Sequence, residues 1–467
     1  MVFSSTVFLW GFLPITVLLY FVAGKRFRNH VLLAASLFFY AWGEPWFVLV
    51  MLFSIILNWH AALTIRRKLN SRKRKVFFIV ALLMNLGILF IFKYLNFSIL
   101  NINRLFGREL VPQTNIRLPI GISFFTFQSL SYLIDVYHEK VEPQDRLLNV
   151  ALYISLFPQL IAGPIVRYNV VAAELAERNT SLTDVADGVS RFFIGLGKKA
   201  ILANTLAILA ETFFGRVNTS ELTAVGAWLG ALSYTFQIYF DFSGYSDMAI
   251  GLGRIFGFHF EENFNYPYVS KSVSEFWRRW HISLGVWFRD YVYIPLGGSR
   301  KGKICTYRNL LIVWMLTGIW HGANWTFVFW GLLHGVIIMG EKWGEKARQK
   351  VPVFFQYLCT MLIVVIGWVL FRCDGIKDAL WYIRTMFTIR PITTTDCFEL
   401  SKYLPIIVFA AICSMPIGRI LQKNLRQTKA GNTAELILKA LSVTVIAIIA
   451  VACVISSTYN PFIYFNF

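Results

Sequence analysis

The sequence predicts an all-α polytopic membrane protein, organised as one membrane domain over residues 1–467. Hydrophobic residues occupy 57% of the chain and charged residues only 15%, against about 25% charged in an ordinary soluble domain. Mean hydropathy is +0.57. Charge-free runs recur along the whole chain, many near the ~20 apolar residues that one membrane crossing needs. The same composition excludes a disordered chain, a collagen repeat and a small disulfide-held secreted scaffold.

The apolar runs cover 1–24, 31–43, 45–65, 76–92, 118–134, 147–166, 222–240, 309–340, 351–371, 403–418 and 440–467. Residues 188–214 form a further, more polar candidate. The 32-residue run at 309–340 holds either two short spans or one tilted one. About eleven transmembrane or re-entrant helices are expected. Residues 1–24 lack a basic start and a small-residue cleavage site, and Lys25, Arg26 and Arg28 follow them. This predicts a retained span with its N-terminus outside. The stretch RRKLNSRKRK (66–75) is then cytoplasmic, and Gly43-Glu44-Pro45 turns the chain between the two basic loops. EKWGEKARQK (341–350) and Arg419 to Lys439 read as cytoplasmic too, leaving the tail NPFIYFNF (460–467) extracytoplasmic. Pro119, Gly121, Pro158, Gly163 and Pro164 suit broken helices that line a cavity.

The net charge is +20, from 45 basic and 25 acidic residues. In a soluble chain it would suggest nucleic acid. Here the basic residues collect in loops between spans, as membrane anchoring requires, and no nucleic-acid partner is expected. The six cysteines form no CxxC and no Cys/His cluster, so no metal site is expected. A bridge between Cys373 and Cys397 has only a shared loop to recommend it.

Chemistry narrows to a few polar residues in apolar surroundings. In SEFWRRWHISLGVWFRDYVYIPLGG (274–298), a continuous helix would place Trp277, Trp280, His281, Leu284, Trp287, Phe288 and Tyr291 on one face. That predicts an interfacial amphipathic helix over 274–293, with His281 at the edge of its buried face. Composition alone favours a hydrogen-bonded structural imidazole there. In LTGIWHGANW (316–325), His321 sits near the middle of the long neutral run. A histidine at membrane depth faces a cavity or a protein interior, and a neutral one can take a proton from a hydroxyl. A packing role is equally open. Gly318 and Gly322 make a small face for another backbone or a ligand. His334, on a continuous helix, faces elsewhere. Asp241 and Asp247 need buried partners, Arg254 or a histidine being the candidates. No GxSxG, Walker A or HExxH motif occurs.

Longer stretches carry a resemblance. LPIGISFFTFQSLSYLIDVY (118–137), LFPQLIAGPIVRY (156–168), YFDFSGYSDMAIGLGRIFGF (239–258), ENFNYPYVSKSVSEFWRRWHISLGVWFRDYVYIPLGGSR (262–300) and GIWHGANWTFVFWGLLHG (318–335) follow one another in fixed order. The chain resembles the membrane-bound O-acyltransferase superfamily, in its polysaccharide O-acetylation branch of alginate O-acetyltransferase membrane subunits. The resemblance implies tilted and broken helices around a central tunnel. It implies that His321, in the WHG motif, is catalytic and that His281 is a second residue tied to activity, reversing the composition-only reading of His281. Trp280, Trp320, Asn324 and Asp241 are expected to support the tunnel.

The implied function is passage of an acyl group, expected to be acetyl, from a cytoplasmic thioester across the cell membrane towards an extracellular polysaccharide. Acetyl-CoA is the expected donor substrate and no bound cofactor is expected. A separate extracytoplasmic acetyltransferase is the implied partner, with membrane lipid around the chain. Tyr464, in a tail resembling the family's FIYF ending, reads either as an acyl carrier or as an interface anchor. Other readings are D-alanyl transfer to teichoic acid, which shares this membrane core, a scaffold, or a polysaccharide exporter without acyl chemistry.

Overall fold

The computed structural model describes residues 1–66, 71–427, 429–457 and 459–461. Among them the chain is helical, with no strand. It divides into two compact units, Met1–Phe192 with Met248–Glu261, and Phe193–Asp247 with Glu262–Phe467.

The first unit contains α1 (Leu13–Val22), α2 (Arg28–Gly43), α3 (Phe47–Arg66), α4 (Ser71–Leu89), α5 (Leu95–Phe106), α6 (Ile122–Tyr137), α7 (Leu147–Ser155), α8 (Phe157–Leu160), α9 (Tyr168–Ala176) and most of α10 (Leu182–Gly197). Helix α6 is buried along nearly its whole length against α3 and α4. Asn58 of α3 and Asn85 of α4 exchange two amide hydrogen bonds, 3.0 and 2.9 Å long. In an apolar medium such reciprocal pairs tie helices that hydrophobicity alone cannot hold together. A π turn, Phe90–Tyr94, joins α4 to α5 and carries the buried Lys93 to the Ser123 hydroxyl at 3.0 Å. Arg66 pairs with Glu142 and Asp145, and Arg74 with Glu139. The acidic loop 139–145 therefore lies at the same end as Arg66 and Arg74, which orientation counting did not reveal.

The second unit contains α11 (Asn204–Phe214), most of α12 (Ala224–Ile255), α13 (Val273–Arg279), α14 (Ile282–Phe288), α15 (Gly302–His321), α16 (Trp325–Trp343), α17 (Glu345–Arg348), α18 (Val353–Arg372), α19 (Ile376–Met386), α20 (Thr394–Cys413), α21 (Ile417–Leu425) and α22 (Lys429–Ser456). The π turn Lys198–Ala203 links α10 to α11. Among the described residues, five helices are long and apolar enough to cross a membrane, and a sixth crossing follows if α20 and α21, bent by 54°, count as one. Apolar side chains of α22 such as Leu441, Val445 and Ile448 are exposed, as expected of a surface bathed in lipid.

The structure decides between two open readings and changes one expectation. The 309–340 run is two helices, broken at Gly322–Asn324, where Gly322 is extended and the Asn324 side chain caps α16 by accepting the Thr326 N–H. The 274–293 amphipathic helix is interrupted: α13 ends at Arg279, α14 starts at Ile282, and a π turn over Arg289–Tyr293 follows. All six cysteines are free, Cys373 and Cys397 included.

Candidate active site

His281 lies at the break between α13 and α14, in the left-handed region with φ 45° and ψ 54°. A non-glycine residue there costs about 1–2 kcal/mol of backbone strain, so the surroundings must impose it. The loop 263–265 does so. Ile282 N–H donates to the Asn263 carbonyl at 3.0 Å and Asn265 N–H to the Arg279 carbonyl at 2.9 Å. From α16, Glu341 caps α13, its carboxylate accepting from the Val273 N–H (2.6 Å), the Ser274 N–H (2.8 Å) and the Ser274 hydroxyl (2.6 Å).

The chemistry of His281 follows from Asn263. The Asn263 Oδ1 accepts from the Ser283 N–H at 3.1 Å and from its hydroxyl at 2.9 Å, which fixes that atom as the amide oxygen. His281 Nδ1 lies 3.2 Å from it and therefore donates. That tautomer leaves a lone pair on Nε2, which has no hydrogen-bond partner among the described residues. Burial pushes the imidazole down to about 3, so it is neutral at physiological pH and its free lone pair is suited to accepting a hydrogen bond.

His321 is the last residue of α15 and is 5% exposed. Its ring meets Trp320 at 4.9 Å, Trp330 at 5.0 Å and Phe371 at 5.3 Å, all edge-on. Trp320 also packs 5.9 Å from the His281 ring, which Phe242 meets edge-on at 4.7 Å. Trp320 is thus the shared wall of the two histidines. The small face made by Gly318 receives the α16 backbone, since a Cβ on Gly318 would press on the Phe327 carbonyl group.

The other expected residues fall into two groups. Trp280 packs against Phe264, Phe276 and Trp368 next to His281 and extends the aromatic cluster. Asn324 supports from the helix break, donating to the Asp374 carbonyl at 2.7 Å. Asp241 pairs with Lys199 at 2.7 Å and Asp247 with Lys198 at 2.6 Å, whereas Arg254 turns to Asp187 at 3.9 Å. The partner is a lysine of the polar 188–214 segment, neither Arg254 nor a histidine. Tyr464 lies outside the described residues, and of the 460–467 tail only Asn460 and Pro461 are described.

His334 corrects its expectation. Because α15 and α16 fold back on each other, it reaches Trp330 at 5.1 Å and Trp277 at 4.9 Å, the same Trp330 that touches His321. Gly367 of α18 makes room for it, since a Cβ there would stand 2.9 Å from His334 Nε2. Asn263 was missed because nothing in apolar periodicity marks a loop asparagine. The only signal was its place at the start of the long ENFNYPY stretch. Among the described residues, no group of three His, Cys, Asp or Glu side chains is placed to share a metal ion.

Comparison with known proteins gives this geometry its context. Residues 34–373 match the family described as MBOAT, membrane-bound O-acyltransferase. Probable alginate O-acetylase AlgI of Pseudomonas aeruginosa is 45% identical over 393 residues, covering 83% of this chain and 75% of its own. Peptidoglycan O-acetyltransferase of Helicobacter pylori is 33% identical over 518 residues, covering 100% of this chain and 98% of its own. Teichoic acid D-alanyltransferase of Bacillus subtilis is 29% identical over 278 residues, covering 56% and 69%. The family match runs through α15, with His321 at its end, and through the strained turn at His281: the chain belongs to the membrane-bound O-acyltransferase family and is a multi-pass membrane O-acyltransferase.

Proposed function

We propose that this protein carries an acetyl group from a cytoplasmic thioester, acetyl-CoA by expectation, across the cell (inner) membrane for O-acetylation of an extracellular polysaccharide. A separate extracytoplasmic acetyltransferase completes the transfer, and both chain termini face that side. The observation that carries the reading is that two buried histidines both pack against Trp320, in a chain whose relatives include O-acetylating enzymes. The D-alanyl alternative is weaker, because that relative aligns with only 56% of the chain.

In the proposed reaction the acceptor hydroxyl attacks the thioester carbonyl carbon while His321 takes its proton. The C–S bond breaks as the new C–O bond is kept, and the departing thiolate receives that proton from the imidazolium. His281, held by Asn263, uses its Nε2 lone pair to orient a hydroxyl or thiol hydrogen. The aromatic walls limit water, and so limit hydrolysis of the thioester.

The test compares ester-linked acyl content of the host's surface polysaccharide between wild type and His321→Ala at matched membrane levels. Loss of the ester supports the proposal and names both the group and the polymer. Unchanged content removes His321 from the chemistry.

A further inference from the structure

Two consecutive lysines of the π turn find two acids of α12, and one pair does more than neutralise charge. The Lys199 and Asp241 side chains are 3% and 2% exposed. The close approach of the two segments needs Gly244, where a Cβ would lie 2.7 Å from the Gly195 carbonyl oxygen. An ion pair so deeply buried forfeits much hydration energy, and its ammonium carries three N–H donors. Lys199 directs one donor to Asp241 and another to the carbonyl oxygen of Pro461. Pro461 lies beyond the end of α22, so its carbonyl has no helical partner to accept from. Two residues earlier, burial and then the neighbouring Glu211 carboxylate hold the Tyr459 phenol above its ordinary range. Asp241 directly precedes Phe242, the residue whose ring walls His281. One turn of α12 therefore carries both the lysine's counter-ion and part of the histidine site.

We propose that Lys199 is a positioning residue that seats the segment after α22 beside the histidine cluster, with Asp241 holding the ammonium in place. The pair then serves as an anchor for Tyr459–Pro461, and its removal releases them.

The test separates seating from simple charge pairing. Replacing only Lys199 strands a buried carboxylate, whereas replacing both partners with apolar residues of similar volume is commonly tolerated. Lys199→Met/Asp241→Leu therefore keeps α10 to α12 packed but offers Pro461 no donor. Hydrogen–deuterium exchange is measured on the full chain in lipid nanodiscs. The expected result is at least a tenfold rise in exchange for the Tyr459 and Asn460 amides within a peptide that ends at Pro461, with α15 and α16 within twofold of wild type. Wild-type exchange of that peptide in the folded double variant overturns the proposal, because the pair then serves only helix packing. If leucine at 241 does not fold, Lys199→Met/Asp241→Asn keeps the shape without the charge and carries the same two outcomes. The readout involves no acyl chemistry, so its failure leaves the proposed function standing.

Discussion

Gly318 sits one helical turn before His321, and its replacement by alanine tests whether the α15–α16 contact sets the position of that histidine. A methyl at Gly318 would press on the Phe327 carbonyl oxygen and lie 3.1 Å from the Phe327 carbonyl carbon and 3.3 Å from the Val328 Cα. Comfortable carbon contacts begin at about 3.5 Å. The obstructing atoms are backbone, so no rotamer change relieves them and the helices must separate, by an amount on the order of 1 Å. Overpacking of this kind costs about 1–3 kcal/mol, and a 1 Å displacement of a reacting group costs on the order of 100-fold in rate. Gly340, on the far part of α16, has nothing within 4 Å of its Cβ position. There alanine favours the helix by about 0.5–1 kcal/mol, and the rate should stay within about twofold. The assay is transfer of labelled acetyl from a thioester donor in nanodiscs, beside thermal unfolding of the same samples. A Gly318→Ala protein with full rate and unshifted melting refutes the reasoning.

Other substitutions probe the supports of the site. At the left-handed His281, glycine relieves strain that alanine keeps; both variants should lose transfer, yet His281→Gly should be more stable than His281→Ala by about 1 kcal/mol, read from their melting curves. Glu341→Gln exchanges a carboxylate that accepts three hydrogen bonds for an amide with one acceptor oxygen; it should cost about 1–3 kcal/mol and slow transfer by loosening the α13–α14 turn, as exchange of the 273–283 amides would show. At Glu275, burial opposes the charge, but the Lys271 N–H and the Arg279 guanidinium outweigh it and hold the carboxyl below its ordinary 4.5. A lowered folded pKa gives stability that is complete above the unfolded value and is lost as pH falls through the folded one. The melting difference between wild type and Glu275→Gln should therefore be present above pH 4.5 and fade below it, and a difference that grows on acidification contradicts this.

Much of the fold was legible because a membrane imposes one requirement on every crossing: a long apolar run. The clean runs at 45–65 and 351–371 correspond closely to α3 and α18. Breaks inside apolar runs were less legible, because a helix interruption is set by tertiary partners that need not be near in sequence. Nothing between Ser274 and Tyr293 marks His281 as left-handed. The turn there is held by Asn263 and Asn265 from an earlier loop. The geometry of His334 was misread for the same reason, since a continuous-helix projection fails once Gly322 breaks the run. Asp241 was recognised as needing a partner, but lysines inside a candidate span look like errors in a hydropathy scan rather than like its answer. His281 stood out at the edge of an aromatic helix face and His321 as an ionisable side chain at membrane depth, and the resemblance then gave them roles.

The π turns at Phe8–Phe12, Phe90–Tyr94, Lys198–Ala203 and Arg289–Tyr293 carry a consequence for how this chain tolerates length changes. Each is one residue of slack wound into a helix. A single-residue deletion there would tighten the winding to an ordinary α-helix instead of breaking it, and because five residues of π turn and four of α-helix sweep nearly the same angle, the helix on either side would keep its facing. A deletion from the regular part of α12 would instead turn everything beyond it by about 100°. Variation in length should therefore be tolerated at these four places and be loud for catalysis in the regular helices around them.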